Sequence, residues 1–214
     1  ISKKESTKIP NIPEDYYSII LTKAIETLDN EKASYNRRMT AGLIIIETQT
    51  GLRTQDLLGL KVSDIHEKKL PVSDIMCNYL HFQTRKPSKA HSDMLEFDIY
   101  ASQLCADAFN KMSILRQKCV YRNEPYLYVL DSGKKTSNKY PIATNRLQAE
   151  YRKFFLEELK DLTCEKWKGI TPVKHVQGGK TYNLNIPEIR QYRVHLATAL
   201  YNNGVSLNYI KKYL

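Results

Sequence analysis

Apolar positions recur at helical spacing from Glu14 onward. In EDYYSIILTKAIETL (residues 14–28) they alternate with polar ones at a 3.6-residue period, and two acidic residues open the first turn. ASYNRRMTAGLIIIETQ (33–49) predicts a second helix, ended by Gly51. Thr54 follows as the cap of a short helix, QDLLGL. KVSDI (61–65) reads as its exit, and Pro71 breaks what comes next.

The period then changes to two. NYLHFQTR (78–85) and MLEFDIY (94–100) alternate polar and apolar residues, and KPSKAHSD between them suits a hairpin connection. Ala101 to Lys118 returns to helical spacing, and PYLYVL (125–130) is a short extended run. TNRLQAEYRKFFLEELKDL (144–162) predicts a long amphipathic helix with Thr144 or Asn145 as cap. KHVQGGKTYNLN is a loop or hairpin turning at its paired glycines. Pro187 fits the first turn of a helix that runs through EIRQYRVHLATALYNNG and stops at Asn203-Gly204. SLNYIKKYL starts one more, capped by Ser206. The sum is α+β: mostly helical, with one small antiparallel sheet and no internal repeats.

Charge narrows the partners. Lys and Arg total 33 against 23 Asp and Glu, a formal charge of +10. Such a balance favours polyanions: nucleic acid or an acidic membrane surface. No segment has the run of about 20 apolar residues that crosses a bilayer, and no signal-peptide pattern appears. Cys77, Cys105, Cys119 and Cys164 form no Cys-x-x-Cys pair, which predicts free thiols in a reducing compartment. His66, His81, His91, His175 and His195 are scattered, so neither a metal site nor a metal cofactor is expected.

Two arginine-bearing segments carry a resemblance. TGLRTQDLLGLKVSDI (50–65) is similar to the first arginine box of the tyrosine recombinases, the phage integrase family. RQYRVHLATALYNNGVSLNYIKKYL (190–214) resembles their second box. That box typically reads His-x-Leu-Arg-His, then Thr-Phe-Ala-Thr, then Asn-Gly and Leu-Gly-His. Counting back from Asn203-Gly204 puts LATAL on the Ala-Thr element and Arg193 on the second arginine. The match covers residues 14–214. It implies the DNA breaking-rejoining catalytic fold.

The resemblance implies a tyrosine oxygen attacking a DNA phosphodiester. The products are a 3′-phosphotyrosyl bond and a freed 5′ oxygen. Negative charge grows on the non-bridging oxygens, and a guanidinium meets it with a fixed, always-ionised fork. Arg53 and Arg193 are the expected pair, gripping the phosphate from two sides. Either alone would read as a surface salt bridge. Asp56, three residues after Arg53, either orients its guanidinium or is a routine helix-surface ion pair. The family's hairpin lysine, which protonates the leaving oxygen, falls on Lys86, with Arg85 and Lys89 as competitors. Lys89 also reads as a solvated lysine on backbone phosphate. Arg190 stands where the family has histidine. It adds fixed charge but cannot exchange protons near neutral pH. His195 points about 200° from Arg193 at roughly 100° per residue, and reads as a packed or surface histidine. Tyr209 and Tyr213 fall too early for the family's nucleophile and read as packing residues. The tyrosine is expected beyond Leu214.

The expected function is therefore site-specific recombination or integration, for a mobile element, without cofactor or metal. Partners would be double-stranded DNA and further copies of the chain, a tetramer for strand exchange, in a bacterial cytoplasm. Residues 1–13 would be the linker from an N-terminal DNA-binding domain, and 14–214 a C-terminally incomplete catalytic domain. Lys61, Arg37, Arg38 and Arg146 are candidates for DNA backbone contacts. The alternative is a catalytically inert DNA-binding module of the same fold. A topoisomerase-like or telomere-resolving enzyme shares the chemistry.

Overall fold

The computed structural model describes residues 8–70, 74–85, 94–119, 122–131, 140–160 and 167–213. The helix α1 (Glu14–Asp29) leads to α2 (Tyr35–Thr50) and the short α3 (Thr54–Gly59). Strands β1 (Ile65–Lys69), β2 (Met76–Arg85) and β3 (Met94–Ala101) form an antiparallel sheet in that order. Then come α4 (Gln103–Arg116), α5 (Thr144–Glu158), the β4 (Val173–Gln177) and β5 (Lys180–Leu184) ribbon, α6 (Ile189–Asn202) and α7 (Leu207–Tyr213).

The organising element is α2. Met39 through Thr48 are buried without interruption, so this helix has no solvent face along most of its length. That is what an all-round apolar run such as GLIII requires. It packs against α1, α4, α5 and α6. Ser34 caps it by accepting from Arg37 N–H, and Gly51 ends it at φ 61°, a left-handed conformation that a Cβ would strain. The chain is thereby turned sharply into Arg53.

Several local expectations shift. The N-cap of α3 is Arg53 rather than Thr54, because Thr54 already has helical geometry. Ala143 precedes α5 and no side chain caps it, so neither Thr144 nor Asn145 does so. Pro187 lies before the cap of α6, Glu188, whose N–H donates to Gln191 Oε1 at 2.8 Å. Gln191 Nε2 in turn donates to the Gly169 and Pro10 carbonyls at 2.8 and 3.2 Å, seating the start of α6. Ala101 closes β3 instead of opening α4.

The segment PYLYVL is no strand. Its Leu127, Tyr128, Val129 and Leu130 are buried, and only an isolated bridge, Lys61 with Tyr126, pairs it. A strand appears instead at Ile65–Lys69, where IHEKK carries one apolar residue. It is a sheet edge, and an edge strand needs little apolar alternation. Ile12, in the stretch read as a linker, is buried in the core. Cys77, Cys105 and Cys119 are free thiols, and Cys164 lies outside the described residues.

Candidate functional site

The turn at Gly51 delivers Arg53 to the surface between the buried end of α2 and the buried Leu57 and Leu58 of α3. Its guanidinium Nη1 donates to Thr84 Oγ1 at 3.2 Å. The same hydroxyl donates to Asp56 Oδ2 at 3.1 Å. Thr84 and Asp56 are both buried. Arg53 thus does not share a helix with Asp56; it precedes α3, and the two are joined through a strand hydroxyl. Thr84 went unnoticed in the sequence. The available signal was its place on the inward face of β2 with Leu80 and Phe82, where a buried hydroxyl must find partners.

Burial pushes the Asp56 carboxyl above its ordinary range, and the Thr84 hydrogen bond with the charges of Arg53 and Arg193 pulls it back only in part. Arg193, half-buried on α6, is shifted down, first by burial and then by the positive charge of Arg53, against the pull of Asp56. The two guanidinia line the same cleft. No carboxylate lies within 4.0 Å of Arg53, Arg190 or Arg193 among the described residues. Asp56 acts on both guanidinia from beyond that distance, and the cluster keeps a net positive charge that suits an external anion.

A cleft of about 730 Å³ supplies the place for it. Arg53, Arg152, Arg190 and Arg193 line it, with Glu188 the acidic residue on its wall. Arg53 and Arg193 also line a second cavity of about 460 Å³. Asp56, Glu96 and Asp98 also line that one, so the first is the better home for an anion.

Other predicted residues fall as follows. Lys86 and Lys89 lie outside the described residues; Arg85 ends β2. His195 is buried, stacked on Tyr17 at 4.0 Å, with Glu14 Oε2 3.4 Å from its Nε2. It is a packed histidine turned away from the cleft. Tyr209 is 48% exposed and lines the second cavity, so the packing role expected of it belongs to its neighbour Ile210. Arg37 pairs with Glu157 and Glu158, Arg146 with Glu150 at 3.5 Å, and Arg38 donates to the Leu28 carbonyl at 2.9 Å. Lys61 is exposed at the exit of α3. Among the described residues, no group of three His, Cys, Asp or Glu side chains is placed to hold a metal ion, and no helix is long and apolar enough to cross a membrane.

No family model and no curated protein matches the chain. Among solved structures it is similar to XerH site-specific recombinase bound to difH substrate in a pre-cleavage complex: TM-score 0.57, 16% identity, 98% of this chain and 48% of that one. It is also similar to XerH bound to palindromic difH substrate in a post-cleavage complex: TM-score 0.55, 17% identity, 97% of this chain and 46% of that one. The chain spans about half the length of these structures. The mixed helical architecture with small antiparallel sheets is a tyrosine-recombinase fold.

Proposed function

We propose that this chain is the phosphate-gripping part of a site-specific DNA recombinase, which cuts and rejoins DNA through a 3′-phosphotyrosyl intermediate. One observation carries the reading. Arg53 and Arg193 come from different elements, converge on one cleft, and have no carboxylate within 4.0 Å among the described residues. A DNA phosphodiester fits them: two forks on two non-bridging oxygens, held before charge develops. Thr84 and Asp56 would fix the Arg53 fork without neutralising it.

Arg190 would add a third cation to the same cleft. The leaving 5′ oxygen needs a proton, and Lys86 is the proposed donor, with Lys89 as its competitor; Lys86 is two residues on from Thr84. Strand exchange requires several such sites, so copies of the protein would assemble on duplex DNA, as a tetramer. Integration or excision of a mobile element is the proposed role.

The decisive experiment uses the full-length protein and a nicked duplex that traps the covalent adduct. Arg53→Ala and Arg193→Ala should each cut adduct formation by about a hundredfold or more, the usual cost of losing one transition-state donor. Duplex binding should largely remain. Unimpaired cleavage by both variants would remove the clamp assignment. Arg190 favours a second reading, a DNA-binding module without chemistry, because guanidinium replaces the family's proton-exchanging histidine. Wild-type protein that binds DNA yet never forms an adduct would establish that reading.

A further inference from the structure

The clamp explains how a phosphate is held but not how a sequence is recognised. The β4–β5 ribbon offers that second function. Its strands pair antiparallel through a two-residue turn in which Gly178 and Gly179 have φ 58° and 75°. Both values suit a tight hairpin that keeps the ribbon straight to its tip.

The two faces of the ribbon differ. Val173 and His175, opposite Leu184 and Tyr182, are half-buried or buried. Lys174 opposite Asn183, and Val176 opposite Thr181, are all exposed, Val176 by 67%. An exposed valine between a lysine, an amide and a threonine is an odd way to end a strand in water. It is a suitable way to meet base edges. Lysine donates to guanine O6 and N7, asparagine pairs bidentately with adenine N6 and N7, and methyl groups of Val and Thr pack on the thymine methyl.

Position agrees with chemistry. The ribbon is rooted in the wall of the clamp: Val173 at its start, and Ile186 and Pro187 just past its end, line the arginine cleft. Arg152 of α5 lines that cleft and also a groove of about 550 Å³ beside His175, Val176 and Gln177. No carboxylate lies within 4.0 Å of Arg152, Lys174 or Lys180 among the described residues. Arg37, Arg152 and Lys153 line this groove together with Glu150 and Glu157, and Arg152 links it to the clamp. A two-stranded ribbon also matches the width of the DNA major groove, about 12 Å.

We propose that the β4–β5 ribbon is a sequence-reading element, which lays its Lys174, Val176, Thr181 and Asn183 face into the major groove of the duplex whose phosphate the arginines hold. The inference rests on the DNA reading of the clamp and extends it.

The test selects preferred sites from a randomised duplex library with wild-type protein, the Lys174→Ala/Asn183→Ala variant, Thr181→Glu, and Arg53→Ala. All substituted ribbon positions are exposed, and unchanged thermal melting checks the fold. The ribbon variants should lose about tenfold or more of the preference for the selected site, with affinity for unselected DNA within about threefold. Arg53→Ala should keep the preference, with affinity for all sequences changed alike and only slightly. A wild-type protein that binds no duplex removes the clamp reading itself. If wild type binds but shows no preference, or the ribbon variants retain it, the ribbon inference falls and the clamp stands. Ribbon variants that keep the preference but lose self-association would make the ribbon a protein interface, which also overturns it.

Discussion

Tyr151 on α5 donates its hydroxyl to Glu47 Oε2 on α2 across 2.5 Å, at a point where neither side chain meets water. Tyr151 also lines the arginine cleft, so this bond joins the wall of the site to the central helix. Burial raises the Glu47 carboxyl from its ordinary 4.5 to about 8, with the Tyr151 bond opposing.

Stability should therefore fall as pH rises. Folded Glu47 holds a proton that the unfolded chain releases between pH 4.5 and 8. The stabilisation is full below pH 4.5 and is lost as pH climbs through 8. At about 1.36 kcal/mol per unit the loss is roughly 3 kcal/mol by pH 7. Glu47→Gln keeps an acceptor for Tyr151 but cannot ionise. Urea melts at pH 5, 7 and 8 should show a flatter profile for this variant and higher stability than wild type at pH 8. Parallel profiles would show that Glu47 does not titrate in this range.

Two neighbouring tyrosines should behave differently. Tyr151→Phe removes the hydrogen bond to a buried carboxyl and should cost about 1–3 kcal/mol. Tyr192, next to Arg193, is equally buried, but its hydroxyl has no hydrogen-bond partner among the described residues. Tyr192→Phe should be neutral or stabilising. Equal losses in chemical denaturation would contradict this contrast.

Thr84→Val deletes the bridge between Arg53 and Asp56 while keeping the shape of the side chain. It leaves a buried carboxyl without its bond, and about 1–3 kcal/mol of stability should go with it. Adduct formation by the full-length protein should drop too, because the Arg53 fork loses its support. Thr84→Ser should restore both. A serine variant as impaired as the valine one would assign the effect to packing.

The unpaired arginines should bind small anions. Inorganic phosphate at about ten times its dissociation constant would stabilise by roughly 1.4 kcal/mol, or about 3–5 °C in melting temperature. Chloride at equal ionic strength should do much less, and Arg53→Ala should remove most of the difference. Thermal scans showing the same phosphate response in that variant would place the anion elsewhere.

What could be read from sequence follows from the range of each signal. The start of α1 at Glu14, the end of α2 at Gly51 and the pairing of residues 78–85 with 94–100 depend on local spacing, and the structure keeps them. The strand at Ile65–Lys69 was missed because an edge strand carries too few apolar residues to alternate. Glu47 carries no local signal of its role, because its buried partner Tyr151 lies far along the chain. Thr84 lies 31 residues from Arg53, and no spacing rule connects them. Arg53 and Arg193 lie far apart in the chain, and only the resemblance of both segments to one family relates them. The cavity they share, and Arg152 beside them, needed three dimensions.

The Thr84 hydroxyl also makes the position of Arg53 sensitive to how the sheet is threaded. Thr84 pairs with Leu95, and adjacent residues of a strand face opposite sides. A slip of β2 by a single residue would bring Gln83 or Arg85 to the position of Thr84, a long amide or a further cation where a short hydroxyl now fits. Arg53 would lose its rest and Asp56 its donor in the same step. A mis-threaded sheet would thus leave Arg53 and Asp56 without their shared hydroxyl, so the placement of this arginine depends on the register of the strand beside it.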